Sequence, residues 1–100
     1  MVRPSNPRHT CCDPKARYFK PRGIPLSELD EVVLKIDELE ALRLADSEGL
    51  YHVKAAAQMK VSRATFGRIL ENARKKVARV LLEGKALRIE TKPNSSGYIP

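Results

Sequence analysis

This 100-residue chain is poor in the side chains that do chemistry or fill a large core: no tryptophan, five aromatics in all, two histidines and two cysteines. It has no glycine-rich phosphate loop, no Ser/His/Asp set and no paired-carboxylate spacing, so an enzyme is not expected. Glu31, Asp37, Glu38 and Glu40 suit a helix start and its dipole better than acid–base work. No apolar run approaches the roughly 20 residues of a membrane span. The N-terminal MVRPSNPRHTCC is charged and proline-containing, without the apolar stretch of a secretory signal. A cytoplasmic protein with no membrane partner is the expectation. Cys11 and Cys12 are adjacent, and a disulfide between neighbours strains the intervening peptide, so an extracellular disulfide scaffold is not expected either.

What the chain does have is charge, unevenly distributed. The formal net charge is +7. Residues 1–23 carry +5, residues 24–50 carry −6, residues 51–90 carry +7, and Lys92 supplies the remaining unit. Two basic segments can meet a polyanion while the acidic one between them is kept away. The same charges can equally solvate three faces and neutralise one another inside the fold. Charge alone leaves both readings open.

Five of the seven prolines fall in residues 1–25, which bars a long helix there. RYFKP suits one short extended piece, Ser27 can cap a single helical turn, and EVVLKI suits a strand or packed coil. Helical signals strengthen from Asp37, where Asp37 and Glu40 have capping-box spacing and Leu39, Leu42 and Ala45 step along one face. Gly49 is a natural stop. A shorter helix, with Val53, Ala56 and Met59 on one side, precedes a break at Lys60-Val61. Ser62 then caps a long helix whose apolar stripe is Phe66, Ile69, Leu70, Ala73, Val77, Val80 and Leu81. ALRIE alternates as a short strand. RYFKP can pair with ALRIE, within a chain or across a dimer, with Tyr18 and Phe19 packed inward. The predicted fold is mainly α: a tri-helical helix–turn–helix domain with an extended proline-rich arm and a short C-terminal strand. Its parts are a basic arm over 1–26, the domain over 27–90 (helices about 37–48, 52–59 and 62–83, strand about 86–90), and a flexible tail over 91–100.

A helix–turn–helix reader needs a small-sided first helix, a short turn plugged by an apolar residue, and a second helix with outward N-terminal residues. Ala55-Ala56, Val61 and the helix from Ser62 fit these needs. With Phe66 buried, Ala64, Arg68, Glu71, Lys75 and Arg79 lie opposite, flanked by Arg63 and Asn72. Ser62 and Thr65 at the helix start suit a phosphate oxygen. Arg63 and Arg68 reach base edges, guanine by preference. Lys75, Lys76 and Arg79 meet phosphate or water. Arg3 and Arg8 of the arm are assigned to phosphate as well. The expected function is therefore a sequence-specific transcriptional regulator that reads the major groove of double-stranded DNA, acting as a homodimer.

The stretch LKIDELEALRLADSEGLYHVKAAAQMKVSRATFGRILENARKKV resembles the helix–turn–helix of region four in bacterial sigma factors. More broadly, RHTCCDP, YFKPRGIPL, LDELEALRLAD, EGL, VSRATFGRIL, AR-KVA and EGKALRI make residues 3 to 90 similar to an uncharacterised prokaryotic family of small predicted DNA-binding proteins. The resemblance implies DNA binding. Some relatives look fused to a domain resembling nitrogenase iron–molybdenum cofactor proteins, which implies metal-linked regulation. The chain departs from the family at Lys60, where the turn usually has glycine, and at Tyr51-His52-Val53-Lys54, where acidic residues or glutamine are usual.

His9, Cys11 and Cys12 supply up to three soft ligands. A tetrahedral zinc site needs about four, so zinc or an iron–sulfur cluster would have to be shared between two chains. The plain alternative is that Cys11 and Cys12 are buried small hydrophobes or ordinary reduced thiols. Two further functional readings stand beside DNA binding: a module that docks an acidic partner of the transcription machinery, and a metal- or redox-responsive regulator acting through Cys11 and Cys12.

Overall fold

The structure, a computed structural model, describes residues 14–91. Its longest element follows from the spacing of Phe66, Leu70 and Ala73, which repeats every three to four residues and buries all three on one side of α3 (Arg63–Glu83). Ser62 caps the start, its Oγ accepting the Thr65 N–H at 3.0 Å. Gly84, at φ 69°, ends the helix in the left-handed conformation that a residue without Cβ adopts freely.

Before it lies α2 (His52–Met59). Its C-terminus closes by two crossed hydrogen bonds, Lys60 N–H to the Ala57 carbonyl and Val61 N–H to the Ala56 carbonyl, both 3.1 Å. This is the Schellman arrangement, and it folds Val61 back onto the core beside Ala56. The motif demands a left-handed residue, and Lys60 occupies it at φ 61°. A side chain there is strained, so Lys60→Gly is expected to raise stability by about 0.5–1 kcal/mol. A urea midpoint that moves down instead would show that the turn relaxes around lysine at no cost.

Helix α1 (Ile36–Leu42) continues into a wider, five-residue-spaced turn over Arg43–Ser47, with Glu48 N–H reaching the Arg43 carbonyl at 2.9 Å. Three strands complete the fold: β1 (Tyr18–Phe19), β2 (Glu31–Leu34) and β3 (Ala86–Ile89). They lie in the order β1-β3-β2, with β3 antiparallel to β1 and parallel to β2. The architecture is three helices with a small three-stranded sheet. RYFKP and ALRIE pair within the chain, Tyr18 opposite Arg88 and Phe19 opposite Leu87.

The core has two parts, and α3 belongs to both. Phe66 and Leu70 pack with Ala41, Leu44, Ala55 and Ala56 of the other helical segments. Ala73, one turn on, packs with Leu34 and Ile89 of the sheet. A buried ion pair joins the two parts. Glu38 is only 5% exposed, and its Oε1 accepts from Lys76 Nζ at 2.7 Å and from the Lys35 N–H at 2.9 Å. Lys76 also donates to the Val33 carbonyl at 2.8 Å. Since the Asp30 and Leu34 carbonyls turn to β3, that of Val33 points to the outer edge of β2, where the ammonium blocks it.

Several expectations need correction. The start of α1 is served by Glu38 and by Glu90, whose carboxylate accepts the Ile36 N–H at 3.2 Å, rather than by an Asp37–Glu40 box. Ser27 caps nothing, because the short turn Leu26–Glu28 begins after Pro25 and contains it. Val53 is 65% exposed, and the buried residues of α2 are instead the two alanines, Ala55 and Ala56. Leu81 is 76% exposed: the last turns of α3 run past both core clusters, whose last α3 member is Ala73. Phe19 is half exposed, since no helix covers β1, and Tyr18 turns its hydroxyl to Glu31 at 2.8 Å. Lys76 is withdrawn from any outward role by Glu38 and Val33.

Candidate functional site

The exposed side of α3 is set by its buried side. At about 100° per residue, Arg63 and Arg68 stand about 140° apart, with Ala64 and Gly67 in the arc between them. Ser62, Arg63, Ala64, Arg68, Asn72, Lys75 and Arg79 are all exposed, and Thr65 is half-buried. The structure thus gathers the α3 candidates along one helix, its first two turns presenting two guanidinium groups around a small-residue floor.

At the helix start the hydroxyls are already engaged with each other. Ser62 Oγ–H donates to Thr65 Oγ1 at 2.9 Å while Ser62 Oγ takes the Thr65 N–H. The Arg63 and Ala64 N–H groups are the ones left without an acceptor among the described residues. A phosphate oxygen, expected to meet Ser62 and Thr65, would find those two amides as its ready donors.

Electrostatics sort the basic residues of α3 into two sets. Arg74 grips Asp46 side-on, Nε to Oδ2 at 3.1 Å and Nη2 to Oδ1 at 2.6 Å. Those hydrogen bonds hold the Asp46 carboxyl below its ordinary 3.8 and raise the Arg74 guanidinium. Lys76 is bound to Glu38, and Lys75 faces Glu71 one turn back at 3.6 Å. Arg63, Arg68 and Arg79 have no carboxylate partner among the described residues, nor have Lys54 and Lys60 on α2 and the turn. Part of the acidic segment is used internally: Glu40 and Glu48 both bridge to Arg43, and Glu31 meets Arg88. On the outer sheet surface Tyr18 is raised and Glu31 lowered, first by their mutual hydrogen bond.

Sequence reasoning passed over Gly67. It lies inside a helix, where glycine costs about 1 kcal/mol relative to alanine. Yet a Cβ placed there would meet nothing within 4 Å, so no packing contact among the described residues accounts for it. The signal was legible, as a glycine between two arginines on a helix. Also missed were the exposed Lys54 on α2 and Lys60 in the turn before α3. Phe66 is 5.3 Å from the His52 ring, edge-on, which seats the first turn of α2 against that of α3.

Arg3, Arg8, His9, Cys11 and Cys12 lie outside the described residues. Among the described residues no group of three or more His, Cys, Asp or Glu could hold a metal ion, and no helix is long and apolar enough to cross a membrane.

The family model described as "Protein of unknown function DUF134" matches residues 1–93. A UPF0251 protein of Desulfosudis oleivorans is 54% identical over 90 residues, which is 90% of this chain and 65% of that protein. A UPF0251 protein of Pelotomaculum thermopropionicum is 55% identical over 89 residues, covering 89% of this chain and 67% of that one. A UPF0251 protein of Vibrio vulnificus is 54% identical over 96 residues, 96% of this chain and 93% of its own length. The chain thus spans about two thirds of some relatives and nearly all of another. No solved structure gives a significant match.

Proposed function

The chain belongs to the DUF134 family of proteins of unknown function, and we propose that it is a sequence-specific DNA-binding protein that regulates transcription through α2 and α3 acting as a helix–turn–helix. The observation that supports this most is the sorting of charge on α3. The cations that face α1, Arg74 and Lys76, are neutralised by Asp46 and Glu38, whereas Arg63, Arg68 and Arg79 keep theirs for an outside partner. A helix whose basic residues merely solvated it would have no need of that partition.

In this reading the first turns of α3 enter the major groove. Arg68 and Arg63 donate to base edges on either side of Ala64 and Gly67, whose small side chains let the backbone approach closely. The free amides of Arg63 and Ala64 take a phosphate oxygen, and Lys54, Lys60 and Arg79 meet phosphates at the rim. The tight Schellman turn keeps Lys60 and the helix start in fixed relation.

Titration with duplexes drawn from a random pool, at two salt concentrations, tests the reading. Binding should weaken steeply with salt, by a slope near 0.9 per phosphate contact. Arg63→Ala and Arg68→Ala should each cost about 1–3 kcal/mol on the preferred sequence and flatten the preference at one position. Gly67→Ala should stabilise the fold by about 1 kcal/mol and still weaken duplex binding. A folded protein that ignores every duplex at low salt would overturn the proposal, and a docking module for an acidic protein would take its place.

A further inference from the structure

We propose that Thr65 is a positioning residue for base recognition: its hydroxyl holds the Arg68 guanidinium in one pose, so that Arg68 discriminates bases more sharply than Arg63. This deepens the DNA-binding reading and rests on it. Three residues one helical turn apart, Ser62, Thr65 and Arg68, form a ladder on the surface of α3. Ser62 Oγ–H donates to Thr65 Oγ1 at 2.9 Å, and Arg68 Nη2 donates to the same oxygen at 3.4 Å. Thr65 Oγ1 is thus an acceptor for two donors at once, which fills both of its lone pairs. The Thr65 backbone N–H on Ser62 Oγ, at 3.0 Å, closes the ladder at its base and fixes the Thr65 position along the helix.

The tether uses one of the five N–H groups of Arg68. The remaining hydrogen on Nη2 and those on Nη1 are left for the paired donation that guanine O6 and N7 accept. A long side chain that is already oriented loses less freedom when it binds, and its misalignment with a wrong base cannot be relieved by swinging away. The Arg63 side chain has no hydrogen-bond or ion-pair partner among the described residues, although it stands only five positions earlier on the same helix. One arginine is therefore set before DNA arrives and the other is not. This also alters the part given to Thr65 by sequence alone, where its hydroxyl was assigned to phosphate. A β-branched threonine suits the holding role, because its χ1 is stiff and its methyl group fixes where the oxygen points.

The experiment is selection from random duplexes by the full chain and its Thr65→Val, Thr65→Ser and Arg68→Ala variants, with binding to a non-preferred duplex measured in parallel. Thr65→Val keeps the shape and removes the oxygen, and Thr65→Ser restores an oxygen. The expected result is that Thr65→Val lowers the preference at a single base pair by about threefold to tenfold. Non-preferred binding, salt slope and melting temperature stay as they were. Thr65→Ser should recover most of the preference, and Thr65→Val should add nothing in the Arg68→Ala background. Equal loss on every sequence would make Thr65 a phosphate ligand and overturn the proposal, as would an unchanged preference. If the unsubstituted chain selects no sequence, the DNA-binding reading fails first, and that outcome is visible before any variant is made.

Discussion

Phe66→Ala should destabilise the domain by about 3–5 kcal/mol, a large part of the about 5–15 kcal/mol that holds a typical domain folded. The ring is wholly buried where all three helices meet. Its neighbours there include Ala41, Ala55 and Ala56, each buried and too short to reach into the space that the ring would vacate. Leu44 and Leu70 are already packed, while the half-buried Leu42, Leu50, Met59, Val61 and Ile69 around the cluster can relax only in part. Where the alanines cannot follow, part of the cavity remains and adds to the lost transfer free energy, which sets the cost within that range. Phe66→Leu, which retains volume, should cost far less. Urea denaturation of the three proteins decides the matter. A loss below about 1 kcal/mol for alanine would mean that the helices do not converge on this ring.

The second large effect is expected at Lys76. Among the described residues, Lys76→Ala removes the one ammonium on a carboxylate that is 5% exposed and leaves Glu38 with the Lys35 N–H. Removing one partner of a buried pair costs about 3–5 kcal/mol. The lower figure applies here, because the Lys76 side chain is 26% exposed and water can reach the gap. About 3 kcal/mol corresponds to a melting temperature lower by roughly 10–20 °C in a domain of this size. The paired substitution Glu38→Leu with Lys76→Met should recover most of that loss, since apolar side chains of similar size replace a buried pair well. Lys76→Ala also uncovers the Val33 carbonyl on the outer edge of β2, so it should self-associate more readily on heating. A thermal melt with light scattering reads both effects. An unaltered melting temperature would show that the pair contributes nothing.

The ends of α3 were legible because local chemistry sets them. Ser62 has the side chain that caps a helix, Gly84 the conformation that ends one, and Phe66, Leu70 and Ala73 the spacing that buries one side. The same holds for α2, whose end at Met59 is forced by the residue pair that follows. What escaped the sequence depends on partners far along the chain. Nothing near Lys76 reveals that Glu38, 38 positions earlier, will claim it. Equally, nothing near Leu81 reveals that the packing around α3 ends before it. Hydrophobic periodicity reports what a helix can bury, and not how far its neighbours extend. The proposed binding surface was half legible for a similar reason: Arg63 and Arg68 were visible as cations, but their freedom from carboxylates, and the Thr65 tether on one of them, are properties of the assembled fold.

The order of the strands imposes a timetable on folding. β3 comes last in the chain of the three and yet sits in the middle, with Glu31 aligned to Ala86 and Tyr18 aligned to Arg88. β1 and β2 have no ladder to join until residues 86–89 leave the ribosome. The helices, built on nearer contacts, can gather earlier, and closure of the sheet then becomes the slow, concluding event. Until that moment the Glu38 carboxylate already has its lysine, but the backbone of β2 waits exposed to any other nascent chain.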